Sequence, residues 1–211
     1  MADKVDFTLM YAMHNALRRD LEAIAKVTAR TDDDPRRILA DAVGWELFKT
    51  ALHAHHTAED EALWPAMTEA LADRPDDLAV VEAMEAEHAA IDPLIEAIDA
   101  ALADRDSGPA RLGDLTDALA AKLTEHVKHE EDETLPLIET TLTEEQLQNF
   151  GAVHAGKAGP NGPRITPWML DGADEHVVST MMALLPPPVR AAYANEWLPA
   201  YSALDRWNDR S

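Results

Sequence analysis

Residues 52–65 read LHAHHTAEDEALWP and residues 123–136 read LTEHVKHEEDETLP. The two stretches carry Leu, His, Glu and Pro at matched positions: Leu52, His55, Glu59 and Pro65 against Leu123, His126, Glu130 and Pro136. A glutamate four residues after a histidine stacks carboxylate and imidazole on one face of an α-helix, one turn apart. The leucines of the same stripe face a core, so the ionisable pair faces it too. Buried carboxylates are costly unless paired or bound to a metal, and two facing His-Glu pairs suit the metal.

Working outward, the chain reads as all-α. Ala and Leu are abundant, Gly is sparse before residue 151, and nothing alternates with period two. A first helix is expected from Val5 to Ala29, with Met10, His14, Leu17, Leu21 and Ile24 on one stripe, closed by the acidic loop TDDD. Asp34 as N-cap and Pro35 at the first helical position open a second helix that carries Leu39, Leu52, His55, Glu59 and Leu63 until Pro65 kinks or ends it. The third begins near Asp76 and holds Val81, Met84, His88, Ile91, Ile95 and Ile98, with a bend expected at Asp92-Pro93. Ser107, Gly108 and Pro109 start the fourth, with Leu115, Leu119, Leu123, His126, Glu130 and Leu137. Four long helices on short loops predict an up-down-up-down antiparallel four-helix bundle over residues 1–141. Residues 142–211 are expected to form a helical extension packed against it. Thr143 and Gln146 make a capping box there, and Trp168, Met169, Met181, Met182, Tyr193, Trp197, Tyr201 and Trp207 are too many large apolar groups for a disordered tail.

One histidine per helix, His14, His55, His88 and His126, falls on each apolar stripe. At ~1.5 Å per residue they lie at comparable depth, roughly 20 to 30 Å along their helices. Any one of them alone is an ordinary core or surface residue; their coincidence points to a dinuclear metal site. His14, His55, His88 and His126 are the expected terminal metal ligands, and Glu59 and Glu130 the bridges. The chain has no cysteine, so His, Asp and Glu must supply the donors, which suits iron, manganese or zinc. His53, His56 and His129 fall off the inward stripe and are expected in solvent, although His56 and Asp60 form a second i+4 pair displaced by one residue. Asp60, Glu61, Asp132 and Glu133 are expected as an exposed acidic face.

The pattern of His on the first helix, HxxxE on the second, His on the third and HxxxE on the fourth, each HxxxE followed by acids and then Leu or Trp before Pro, resembles the hemerythrin-like (HHE cation-binding) family of non-haem di-iron four-helix bundles. The resemblance spans roughly residues 5 to 140. It implies two iron ions, oxo- or hydroxo-bridged, held by His14, His55, Glu59, His88, His126 and Glu130, and a reaction with or sensing of O2, H2O2 or NO. In one respect the chain departs from the oxygen carriers, which have a second histidine one turn after the first on the third helix. Here that position is Asp92. Asp92 itself, water, or a ligand from His154, His176 or Tyr11 would have to complete the set, and Glu131 competes with Glu130 as bridge. Asp92 as a ligand would make the site harder and favour the ferric state, and water there would open it to peroxide, so catalase-like peroxide disproportionation or redox sensing is expected ahead of O2 transport. The rival expectations are an iron or oxygen sensor without catalysis and a helical protein-interaction module.

Composition excludes other classes. Forty acidic against eighteen basic residues give a formal charge of −22, which repels nucleic acid and anionic membranes. The first residues show no secretory leader and no stretch is apolar enough to span a membrane, so the expected location is cytoplasmic. No Ser-His-Asp order, phosphate-binding glycine loop or HExxH motif is present.

Overall fold

The computed structural model describes residues 5–30 and 34–208, and all regular structure among them is helical. Helix α1 spans Thr8–Thr28, α2 Pro35–Ala40, α3 Val43–Ala58, α4 Trp64–Ala70, α5 Pro75–Ala103, α6 Gly108–His129 and α7 Leu135–Thr141. Part of the TDDD loop, residues 31–33, lies outside the described residues. Asp34 caps α2 by accepting from the Arg36 N–H, with Pro35 at the first helical position. The second predicted helix is not continuous, because Ala42 is extended and divides α2 from α3. Two residues on, the reason is visible: a Cβ on Gly44 would sit 2.7 Å from the Arg206 carbonyl oxygen and the Trp207 ring, so the start of α3 is shaped to receive the Arg206-Trp207 segment.

Pro65 does not end its helix, and helix likewise continues across Pro136. A proline lacks the N–H for its i−4 carbonyl and its ring presses on that carbonyl. The chain answers with one π turn on each side of the repeat, Glu59–Leu63 before α4 and Glu130–Thr134 before α7. In each, the first residue is the motif glutamate, whose carbonyl accepts from the N–H five residues on, Trp64 or Leu135. A third π turn, Tyr193–Trp197, stands at the same offset ahead of Pro199. By contrast α5 runs on through Pro93 without a break in helical assignment.

Helix α5 makes its most extensive pairing along α6 and also meets α4; α1 meets both α6 and α3. The buried apolar side chains fall into two groups. One, around Leu17, Ile24, Phe48, Leu52, Ile91, Leu119 and Leu123, fills the larger end; the other, around Leu63, Trp64, Met67, Met84, Leu135 and Ile138, fills the end closed by α4 and α7. Between them along α3, α5 and α6 lie the histidines and glutamates of the motifs, so the core is interrupted by one ionisable layer.

Helix α8, Glu144–Ala158, opens with the predicted capping box of Thr143 and Gln146. It lies along α3 and the Glu59–Leu63 turn. After it come α9 (Gly162–Met169), α10 (Glu175–Leu184), α11 (Pro187–Ala192) and α12 (Leu198–Ser202). Helices α9 and α10 rest on α1. Trp168, Met169, Tyr193, Tyr201 and Trp207 are buried in the larger core. Asp20 of α1, fully buried, accepts from Trp168 Nε1 at 2.7 Å, Arg19 Nε at 3.0 Å and an Arg206 N–H at 3.2 Å, so that its charge is met on three sides. No helix among the described residues is long and apolar enough to cross a membrane.

Candidate metal centre

Five imidazoles and two carboxylates meet in the ionisable layer. The donors of His14, His55 and Glu130 lie within 4.8 Å of one another, and so do those of His56, His88 and His126; all six residues are buried. Helix α1 delivers His14, α5 delivers His88 and α6 delivers His126. Helix α3 delivers two neighbours, because residues one apart on a helix point about 100° apart. His55 turns toward His14, ring centroids 5.3 Å apart, and His56 stacks on His88 at 3.8 Å. Glu59 spans the two groups, with Oε1 3.4 Å from His55 Nε2 and Oε2 3.5 Å from His88 Nε2. Glu130 Oε2 lies 3.1 Å from His14 Nε2.

The outer nitrogens of three rings are tied down. His14 Nδ1 donates to Glu131 at 2.9 Å, His88 Nδ1 to Asp60 at 2.8 Å and His126 Nδ1 to Glu87 at 2.9 Å. Each of these imidazoles, when neutral, therefore carries its lone pair on Nε2. The Nε2 atoms of His88 and His126 are 3.2 Å apart. Two lone pairs at that distance repel unless a proton or a cation stands between them. In addition, Nε2 of His14 and of His55, both nitrogens of His56 and both oxygens of Glu59 and of Glu130 are buried without a hydrogen-bond partner. Unpartnered buried polar atoms are rare in folded proteins, and here they converge on one place.

The electrostatics are those of a site built around positive charge. Burial, followed by the crowding of neighbouring imidazoles, holds His55 and His56 well below the ordinary histidine range. Burial likewise lowers His126, with His88 adding to it against the pull of Glu130 and Glu87. Burial opposes protonation of His14 as well, but the charges of Glu130 and Glu131 and the hydrogen bond to Glu131 outweigh it and raise His14 to about 9. Burial and the charge of Glu130 push Glu59 well above the carboxylate range; Glu130 is lowered by His14 in spite of its burial. Without a cation, then, Glu59 takes up a proton so that two carboxylates can share the core. Glu131 is held at about 2, since His14 and Arg18 overcome its partial burial.

The hemerythrin HHE cation binding domain model matches residues 5–138, well over half of the chain. This chain belongs to the hemerythrin HHE family. Among curated proteins and among solved structures, none matches it. The hemerythrin domain is a cation-binding one, and the donor set here fits that chemistry: neutral imidazoles, paired carboxylates and no thiolate.

The sequence-derived residues His14, His55, Glu59, His88, His126 and Glu130 are all buried in this layer. His56 is the correction: expected in solvent, it is 4 % exposed and completes the second group of imidazoles. The error came from allowing each helix one inward direction, whereas α3 stands between two groups and presents a histidine to each. Its visible signal was the displaced His56-Asp60 pair. Asp92, at the position of the missing histidine, is exposed and is no part of the layer. His176 and Tyr11 are also exposed. His154 of α8 packs edge-on against His55, ring centroids 6.0 Å apart, but belongs to neither group of donors. Glu131 holds His14 from outside and leaves the inner position to Glu130. His53 is exposed as expected; His129 is half-buried and donates to Glu87. Asp60 is 46 % exposed and Glu61, Asp132 and Glu133 more so, yet Asp60 also reaches His88.

Proposed function

We propose that residues 1–141 form an antiparallel up-down-up-down four-helix hemerythrin domain holding two iron ions that react with or sense O2, H2O2 or NO, and that residues 142–211 are its packed extension. His14 and His55 would hold one ion, His56, His88 and His126 the other, with Glu59 and Glu130 shared between them. What carries the reading is the pair of facing Nε2 lone pairs on His88 and His126, fixed in that tautomer by Asp60 and Glu87. Only a cation or an extra proton makes that arrangement favourable.

Donor counting supports a small external ligand. With one oxygen from each glutamate, the His56 group offers five donors and the His14 group four, so the His14 side has room for a further molecule. Bound iron would supply the one-electron steps that reaction with oxygen species requires and that no side chain here provides. The nitrogen lost at Asp92 no longer argues for peroxide chemistry, because His56 supplies a fifth imidazole. The surrounding charge takes over that argument: Glu131, Asp60 and Glu87 touch the imidazoles from outside against a single nearby Arg18, which favours the more highly charged iron state and so catalase-like peroxide disproportionation or redox sensing over reversible O2 carriage.

The test is metal analysis and an optical spectrum of protein expressed in iron-replete medium, followed by addition of H2O2. Two irons per chain, oxo-to-iron charge-transfer absorption and O2 evolution from peroxide are expected. A chain without stoichiometric metal would be an interaction module instead, and a stable reversible O2 adduct without peroxide turnover would make it a carrier. The sensing reading rests on the unpartnered carboxylate and imidazole atoms crowded in this layer; it requires chelation to loosen the fold, and unchanged helicity and melting temperature after chelation would remove it.

A further inference from the structure

Each HxxxE motif is followed at once by a second acid, Asp60 after Glu59 and Glu131 after Glu130. One residue further along a helical turn points to a different side. There the second acid reaches a histidine on another helix: Asp60 takes His88 Nδ1 of α5, and Glu131 takes His14 Nδ1 of α1. The two helices that carry a lone site histidine are thus each held by the motif of a neighbour. Glu131 is itself clamped by both Arg18 guanidinium nitrogens, at 2.9 and 2.7 Å. The remaining gripped ring, His126 of α6, is held by Glu87 of α5, whose other oxygen takes the half-buried His129 at 2.8 Å. His56 has neither nitrogen partnered, so three of the five imidazoles carry a carboxylate and His56 does not.

We infer that Asp60, Glu131 and Glu87 are positioning residues that orient His88, His14 and His126 and set the redox potential of the centre by making these three imidazoles stronger donors. The inference rests on the two-iron reading. A carboxylate on the outer N–H of an imidazole fixes ring and tautomer and raises its basicity, and loss of such a partner typically costs 10–100-fold in metal affinity or activity. A more basic imidazole favours ferric over ferrous iron, so the outer acids lower the potential. The effective motif in this chain is consequently HxxxE followed by Asp or Glu, in which the last residue serves the adjacent helix.

The test compares Asp60→Asn, Glu131→Gln and Glu87→Gln with Asp132→Asn in the iron-loaded full chain. An amide still accepts from Nδ1 but lacks the charge, whereas Asp132 is an exposed acid of the same turn that touches Lys128 and no site histidine. Each of the first three variants is expected to keep two irons and to lose about tenfold of the ferric preference, a rise of about 59 mV in one-electron midpoint potential; Asp132→Asn is expected to leave the potential in place. Asp60→Ala, which removes position and charge together, is expected to weaken iron binding as well. Should an amide variant fail to load, Glu131→Asp is measured in its place, where the shortened reach raises the potential in the same direction. Equal potentials for the wild type and the first three variants, or equal shifts in all four, overturn the inference. A wild type without two irons instead overturns the function on which it rests.

Discussion

His55 and His56 are neighbours on α3 that serve different partners, the first turning to His14 and the second stacking on His88. On an amphipathic helix with one buried stripe, two adjacent histidines cannot both be inward, and His55 with Leu52 and Leu63 defines the stripe. That reasoning puts His14, His55, Glu59, His88, His126 and Glu130 in the buried layer because each sits where a single stripe would put it. It failed at His56 because α3 faces a divided site, His14 on one side and His88 on the other. The consequence is measurable. His56→Ala should lower iron from two per chain toward one, by weakening the three-imidazole side, while Asp92→Ala at the exposed position should leave two; iron analysis of the purified variants decides. Equal loss in both would return Asp92 to the site.

At the level of elements, the helices were legible because their boundaries are written in capping and proline chemistry. Asp34 before Pro35 and Thr143 before Gln146 act at the ends assigned to them. The π turns were not legible, since a proline inside a helical pattern reads as a stop. Whether the helix stops, or opens by one residue and continues, depends on what is packed behind it. Here buried Trp64 and Leu135, each donating the π hydrogen bond, hold the following turns in the core. The α2–α3 break was hidden for a related reason, because the partner that requires it, the Arg206-Trp207 segment, lies far away in sequence. The cap of α8 offers a direct check. Thr143→Ala removes the acceptor for the Gln146 N–H and should destabilise the protein by about 1 kcal/mol, lowering Tm by about 2–4 °C in a thermal melt. No change would mean that α8 is held by its contacts with α3 alone.

Over the whole molecule, an ionisable layer between two apolar groups makes stability depend on pH and on metal. His55 and His56 have folded pKa values well below their unfolded value near 6.5. Below that pH the unfolded chain binds protons that the fold refuses, so the metal-free protein loses stability as pH falls. His14, raised to about 9, acts in the opposite sense: its contribution is full below pH 6.5 and disappears as pH rises through about 9. Glu59, pushed well above its unfolded value, holds a proton in the fold over this range and acts with His14, whereas His126 and His154 are lowered as His55 and His56 are. Four refusing histidines outweigh the two accepting groups, so Tm of the metal-free protein should decline from pH 7 to pH 5. Below about 4.5 the loss should steepen, as the stabilising charge of Glu131 is titrated toward its folded value of about 2. The iron-loaded protein should melt higher at pH 7 and converge on the metal-free curve in acid, where protons compete for the donors. Calorimetry of both forms across this range checks the slopes, and a flat metal-free profile would mean that these imidazoles are hydrated.

The contact between Asp20 and Arg206 joins residues 186 apart in the chain. A ribosome making this protein therefore releases the first helix, with Arg19 beside Asp20, long before Trp168 and Arg206 complete the acid's ring of donors. Until those donors emerge, Asp20 has only the neighbouring arginine to meet its charge, and the larger core lacks Trp168, Tyr201 and Trp207. Closing that core is therefore a late, long-range step of folding, made by contacts between distant parts of the chain.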